Sequence, residues 1–244
     1  MVKFPIGTFI NMAAIAVGSF IGLAFQQTLS LNLQTIILQA LGLGIIAIGI
    51  QMFLQIPKGY LLVFIFSLII GGVIGESFDL KCLIENIGNT IGSKLNIGSK
   101  QFNKGVITAS LLYCVGAMAV VGPLEESLQG KRELLIVKAI IDGFSAIALA
   151  SIYGIGVLFS IFPILIFQGG ISLLAQIAQK IFISDVISCL SSVGGILITA
   201  IGLNLLGIGE IIIENLLPSL LLVVPLTWIW RTYKKSKMLV FKKR

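Results

Sequence analysis

Histidine is absent from this chain, and acidic residues are scarce, ten in 244. Without imidazole the usual general base near neutral pH is missing, and so is the commonest metal ligand. Cysteine is almost as rare. Cys82, Cys114 and Cys189 stand far apart, with neither metal-ligand nor disulfide spacing, and read as small apolar fillers. Only 11% of residues are charged, against about a quarter in an ordinary soluble domain. So little charge cannot cover a water-facing surface. What fills the chain is apolar: 57% of residues are hydrophobic and the mean hydropathy is +1.08. Lipid is the natural solvent for such a composition, and the chain reads as an integral membrane protein. A net charge of +7 would suggest nucleic acid in a soluble protein. Here most cations sit between or after apolar runs, so they carry topology, and no nucleic-acid partner is expected. With no nucleophile–base spacing and no paired intramembrane aspartates, neither an enzyme nor a bound metal or cofactor is expected.

A helix crosses hydrocarbon with about 20 apolar residues. Eight stretches qualify: 6–25, 33–55, 60–78, 104–122, 134–152, 155–177, 186–206 and 211–230. The first exceeds the roughly 7–15 apolar residues of a signal peptide and is expected to remain as a span. The run 134–177 is too long for one span and too apolar for a water-exposed loop. Gly154, Gly156 and Pro163 offer a break between two spans, with a broken or re-entrant helix as the alternative. Eight spans put both termini on one side. That side collects Lys3, Lys58, Lys131, Arg132, Lys138, Lys180 and the tail cations, while Lys81, Lys94, Lys100 and Lys104 stay on the other. Basic residues mark the cytoplasmic face. The expectation is an all-α polytopic membrane protein: one transmembrane domain over 1–230 and a basic cytoplasmic tail over 231–244. Within 80–98, Leu80, Leu83, Ile84, Ile87, Ile91 and Leu95 recur at helical spacing, which predicts an amphipathic helix on the outer interface.

Two segments echo each other. "IAIGIQMF" at 46–53 aligns with "TAIGLNLL" at 199–206, pairing Gln51 with Asn204, and at the same offset Gly42 meets Gly195. Spans 1–3 would then resemble spans 6–8 in opposite orientation, an inverted repeat of the kind secondary transporters use. Chance likeness between chains rich in Ile, Leu, Ala and Gly is the competing reading.

The polar inventory inside the spans is short. Asp142 stands in "AIIDGFSAIALA", where an acid costs on the order of 3 kcal/mol on insertion scales. Lys138 lies one turn earlier, so a static Lys–Asp pair is one offset, in the less favourable order for a helix pair. A protonated carboxyl or a bound cation are the others. Asn11, Gln51, Gln168 and Asn204 complete the intramembrane candidates, and Glu76 and Glu126 read as solvated helix ends. Gln168-Gly169-Gly170 follows Pro163 by little more than a turn, a combination that interrupts helices and turns backbone groups toward a ligand. Pro218 and Pro225 are expected to kink the last span. Glycine-rich helix faces permit a homodimer.

Taken together, "GTFINMAAIAVGSFIG", "TASLLYCVGAMAVVG", "KAIIDGFSAIALASIYGIGVLFS", "PILIFQGGI" and "VGGILITAIGLNLLGI" give the chain a resemblance, over nearly its whole length, to the YdfK/YqgA family of bacterial inner-membrane proteins. In that family the fifth span carries a Lys-x-x-x-Asp-Gly pattern, matched by Lys138, Asp142 and Gly143. A Gln-Gly pair matches Gln168 and Gly169, and a Gly-Leu-Asn-Leu-Leu run matches Gly202 to Leu206. Ala117 stands where a proline is common, which argues against a helix break there. The resemblance implies a bacterial plasma membrane and names no substrate. The residues themselves point to a small transporter or permease, its midplane site built from Asp142, Gln168, Asn11, Gln51 and Asn204, with Lys138 beside the acid. Its solute would be small and neutral or cationic, since no buried Arg awaits an anion. A non-transporting membrane scaffold with a structural Lys138–Asp142 pair is the alternative.

Overall fold

The structure is a computed structural model that describes residues 5–26, 30–94, 99–114 and 117–241. Lys3, residues 95–98 of the expected interfacial helix, and the terminal Lys242, Lys243 and Arg244 lie outside the described residues. Every regular element among the described residues is helical. In chain order these are α1 (Ile6–Gln26), α2 (Leu31–Phe53), α3 (Leu61–Ser77), α4 (Leu80–Lys94), α5 (Ser99–Cys114), α6 (Ala117–Gln129) and α7 (Glu133–Tyr153). A 3-10 segment (Gly154–Ser160) leads into α8 (Ile161–Ile164), a π turn (Leu165–Gly169) and α9 (Gly170–Leu173). Then come α10 (Ala175–Ile181), α11 (Ser184–Leu205), α12 (Ile213–Leu216) and α13 (Pro218–Phe241).

Burial is inverted relative to a water-soluble protein. Asn11, Glu126 and Gln168 are fully buried, while Phe144, Ile166 and Leu221 are more than two-thirds exposed. α7 displays the inversion along one helix. Ile136, Val137, Ile140, Ile141 and Phe144 point outward; Leu135, Lys138, Ala139, Asp142, Gly143 and Ala146 point inward. Among the described residues five helical stretches are long and apolar enough to cross a membrane, and seven if two bent pairs each make one crossing.

One of the five, Glu133–Leu173, has 41 residues, and it folds back on itself. A straight helix would carry 142 and 168 roughly 39 Å apart at 1.5 Å per residue. Instead both side chains reach the same Asn11 amide. The reversal sits at Gly154, whose φ of 70° ends α7. Few residues other than glycine accept that conformation. The expected break within 134–177 is therefore present as a change of direction.

Three helix pairs set the register. α1 and α7 run parallel: Gly7 meets Leu135, Gly18 meets Gly143 and Ala146, and Gly22 meets Ile147 and Ala150. α2 and α11 run antiparallel, and the four glycines of the sequence echo face one another, Gly42 against Gly202 and Gly49 against Gly195. A Cβ on Gly49 would lie 2.5 Å from the Gly195 carbonyl oxygen, so only glycine allows these backbones to touch. α3 and α13 are antiparallel as well, with Gly71 beside Ser219 and Gly75 beside Asn215. The starts of α3 and α11 and the late part of α13 gather at one end, here face A, through Tyr60–Asp185 (2.9 Å) and Trp230–Gly59 (2.8 Å) hydrogen bonds. The start of α1 and the end of α6 share that face; α4 and α12 lie at the opposite one, face B.

Some expectations change. A 56° bend separates α5 from α6 despite Ala117, so 104–122 is two helices with shifted ends. Pro123 lies inside α6, beyond that break, and does not account for it. Pro218 opens α13, and the helix is interrupted at Leu217, inside the candidate span Ile213–Lys234. The helix then continues past 231 to Phe241. α4 forms as expected and turns 57° from α3.

Candidate functional site

The α1–α7 register places Asn11, one turn after Gly7, beside Asp142. The Asn11 Nδ2 donates to Asp142 Oδ2 at 3.0 Å, and the same carboxylate oxygen accepts from the Lys138 ammonium. Lys138, a cytoplasmic cation on the charge pattern alone, is buried at 6% exposure, because its i,i+4 spacing puts it on the same inward face as Asp142. The π turn adds Gln168, whose Oε1 accepts from Asn11 Nδ2 at 3.5 Å. α5 contributes Tyr113, fully buried, with its ring 6.0 Å from the Lys138 ammonium. Four separate helical segments thus deliver side chains to one place.

Chemistry orients this cluster. A carboxylate only accepts, so Asn11 must turn its NH2 toward Asp142. That NH2 in turn requires the oxygen of Gln168. Asn11 Oδ1, Gln168 Nε2 and the Tyr113 hydroxyl are then left buried with no hydrogen-bond partner among the described residues; Thr8 and Ser172, near Asn11 and Gln168 along their helices, are in the same condition. Each such group costs about 1–3 kcal/mol. Donors and acceptors in excess of the cluster's own needs mark it as the candidate site. The π turn points the same way, since such turns recur at functional sites.

Two sequence candidates lie elsewhere. Gln51 is exposed, and Asn204 is half-buried near face B. The glycines explain both. Gly49 and Gly202 must face the α2–α11 contact, and two residues further a helix has turned about 200°. Asn204 instead clamps the 206–212 loop, donating to the Ile211 carbonyl at 2.8 Å and accepting its amide at 2.9 Å. Asn204 also lines a face-B cavity of about 820 Å3 that contains none of Asn11, Asp142 or Gln168.

Glu126 is not a solvated helix end. It is fully buried, and its two carboxylate oxygens accept the Gly7 amide at 2.9 and 3.0 Å while Arg132 donates at 2.8 Å. The carboxylate thereby serves the positive N-terminus of α1. Glu76 remains exposed and accepts from Asn215 at 2.6 Å. Tyr113 and Glu126 were missed. An aromatic on an apolar helix carries no sequence signal of its hydroxyl's surroundings, and Glu126 reaches α1 across 119 residues.

The family described as "Protein of unknown function (DUF554)" matches residues 6–228. The chain is 37% identical over 218 residues to the uncharacterized membrane protein YdfK of Bacillus subtilis (strain 168), covering 88% of this chain and 93% of that protein. It is 28% identical over 237 residues to the uncharacterized protein YqgA of Escherichia coli (strain K12), covering 93% and 98%. No solved structure matches the chain.

Proposed function

The chain belongs to the DUF554 family, and from that premise we propose that this integral membrane protein is a small-solute or cation permease whose site is the Asp142 cluster. The observation that carries the reading is the set of unpartnered polar atoms, Asn11 Oδ1, Gln168 Nε2 and the Tyr113 hydroxyl, around a carboxylate already held by Lys138. A pair retained only for structure has no use for them. In this state the site is occluded, and Lys138 occupies the place of a cation. An arriving cation competes with the ammonium for Asp142, and the amide and phenol oxygens complete its shell. A neutral solute would instead take the spare donors and acceptors.

The topology fits an eight-pass chain in the bacterial inner membrane with both termini cytoplasmic. Face A carries Lys58, Lys131, Arg132, Lys180, Arg231 and Lys234, and basic residues favour the cytoplasm. Trp228, Trp230 and Tyr233 lie near that face, as interfacial aromatics do. The meeting of the four echo glycines across one antiparallel crossing supports an inverted repeat of passes 1–3 and 6–8.

The test is flux. Purified protein in liposomes, with a pH-sensitive dye inside, is challenged with Na+, K+, Li+ and methylammonium. The expected result is a cation-dependent signal that Asp142→Asn abolishes; full retention of flux by that variant removes the acid from the mechanism.

One observation favours the second reading, a non-transporting scaffold: Asp142 is bonded to Lys138 and the face-B cavity stops short of both. That reading predicts no flux of any probe and loss of stability alone on removing either partner.

A further inference from the structure

The face-B cavity has its own chemistry, independent of transport. One wall is α5, which presents Lys100, Asn103, Lys104, Ile107 and Thr108, a single helical stripe. A second is the segment after α11, with Glu210 and Glu214, and α4 adds Lys81 and Glu85. Three ammonium groups and three carboxylates therefore line one space. None of the six is in a salt bridge among the described residues, where the ion pairs are Arg132–Glu126, Lys138–Asp142 and Arg231–Asp185.

The walls are held in place from behind. Asn215 accepts the Lys81 amide at 2.8 Å and donates to Glu76 at 2.6 Å, tying α4 to α12 and α3. Asn204 fixes the acidic segment through Ile211. Asn103 and Thr108 are more than nine-tenths buried within the basic wall.

Balanced charge decides the ligand class. A space with equal numbers of both signs concentrates neither anions nor cations, because field-driven enrichment follows the net sign of the lining. Two of the walls are nonetheless each of one sign, basic on α5 and acidic on 210–214, with α4 adding one charge of each, and those two walls align a molecule carrying one charge of each sign. The volume of about 820 Å3 lies in the upper part of the range for small-molecule sites, roughly 300–1,000 Å3. A lone ion would leave most of it empty.

We propose that the face-B cavity is a binding site for zwitterionic solutes of about tripeptide size, the anionic end on Lys100 and Lys104 and the cationic end on Glu210 and Glu214. A phosphoethanolamine lipid headgroup has the same pairing of charges. The exposure of Lys81, Glu85, Lys100, Lys104 and Glu210 opens the cavity to water and favours the soluble source.

The experiment uses full-length protein in nanodiscs of phosphocholine lipid, with trialanine, N-acetyl-trialanine and trialanine amide as probes measured by calorimetry. Trialanine is expected to bind at least tenfold more tightly than either singly charged analogue. Lys100→Met/Lys104→Met should remove that advantage over the amide, and Glu210→Gln/Glu214→Gln the advantage over the N-acetyl peptide. These side chains are exposed or half-buried, and unchanged thermal unfolding would establish that the variants fold. Equal affinity for all three peptides, or no heat from trialanine at millimolar concentration, overturns the proposal. Loss of trialanine binding when phosphoethanolamine lipid is added overturns the soluble source and gives the site to the headgroup. A flux defect in Asp142→Asn with peptide binding intact would separate this cavity from the Asp142 site.

Discussion

The buried pair of Lys138 and Asp142 makes the sharpest prediction, because its two members lose different things. Both are more than nine-tenths buried, so water cannot take the place of a missing partner. Asp142→Asn leaves an ammonium without its counter-charge, with the Tyr113 ring 6.0 Å away. Removing one member of a buried pair costs about 3–5 kcal/mol. The amide oxygen of the new Asn can still accept one hydrogen bond, which places this variant near the lower end. Lys138→Met leaves a carboxylate with the single Asn11 bond at 3.0 Å. That acid can escape by taking up a proton, so the loss should again be about 3 kcal/mol, roughly a hundredfold in the unfolding equilibrium. The double variant carries no charge at all, and replacing a buried pair by uncharged groups of similar volume is often nearly neutral. It should lie within about 1 kcal/mol of the parent. Reversible unfolding in mixed micelles, read by tryptophan fluorescence, gives all four stabilities. If the two single losses add in the double variant to within about 0.5 kcal/mol, the pair is not coupled and the account of the cluster is wrong.

Other perturbations follow from individual contacts. Gly49→Ala puts a methyl 2.3 Å from Thr199 Oγ1 and 2.5 Å from the Gly195 oxygen, and should lower stability by about 1–3 kcal/mol in detergent unfolding. Gly44→Ala, with open space around it, should be neutral or gain up to about 1 kcal/mol of helix propensity; equal effects would refute the α2–α11 crossing. Glu126→Gln weakens charge-assisted bonds to Gly7 and Arg132 and should cost about 1.5–3 kcal/mol, with faster hydrogen exchange in the first turn of α1. Asn204→Ala should speed exchange over 206–212 and leave 133–173 protected; a change spread over both would place Asn204 in the central cluster after all.

Much of this architecture is written in hydropathy. Lipid-facing helices must be apolar outward, so the spans, the reversal near Gly154 and the α4 helix are visible as composition. Asp142 and Lys138 were legible because one acid among Ala, Ile and Leu has few reasons to exist, and a four-residue spacing forces a shared face. Gln168 was legible through Pro163 and its glycine pair. Gln51 matches Asn204 amide for amide, but the helical phase of the adjoining Gly49 turns it away from α11, and a local sequence match carries no information on that phase. The partners of Glu126 and Tyr113 were beyond reach for another reason. Both depend on how distant helices dock, and an apolar pattern is equally satisfied by many dockings.

The π turn at Leu165–Gly169 leaves that pass with slack. A π turn holds one more residue than an α turn over the same length, so the segment contains a spare residue that need not stay where it is. Letting it migrate along the pass would screw Gln168 around its axis by about 100° while the helix stayed hydrogen-bonded on either side. The amide could swing away from Asn11 without any pass leaving the bilayer, and the energy involved would be that of shifting a dislocation rather than of melting a helix.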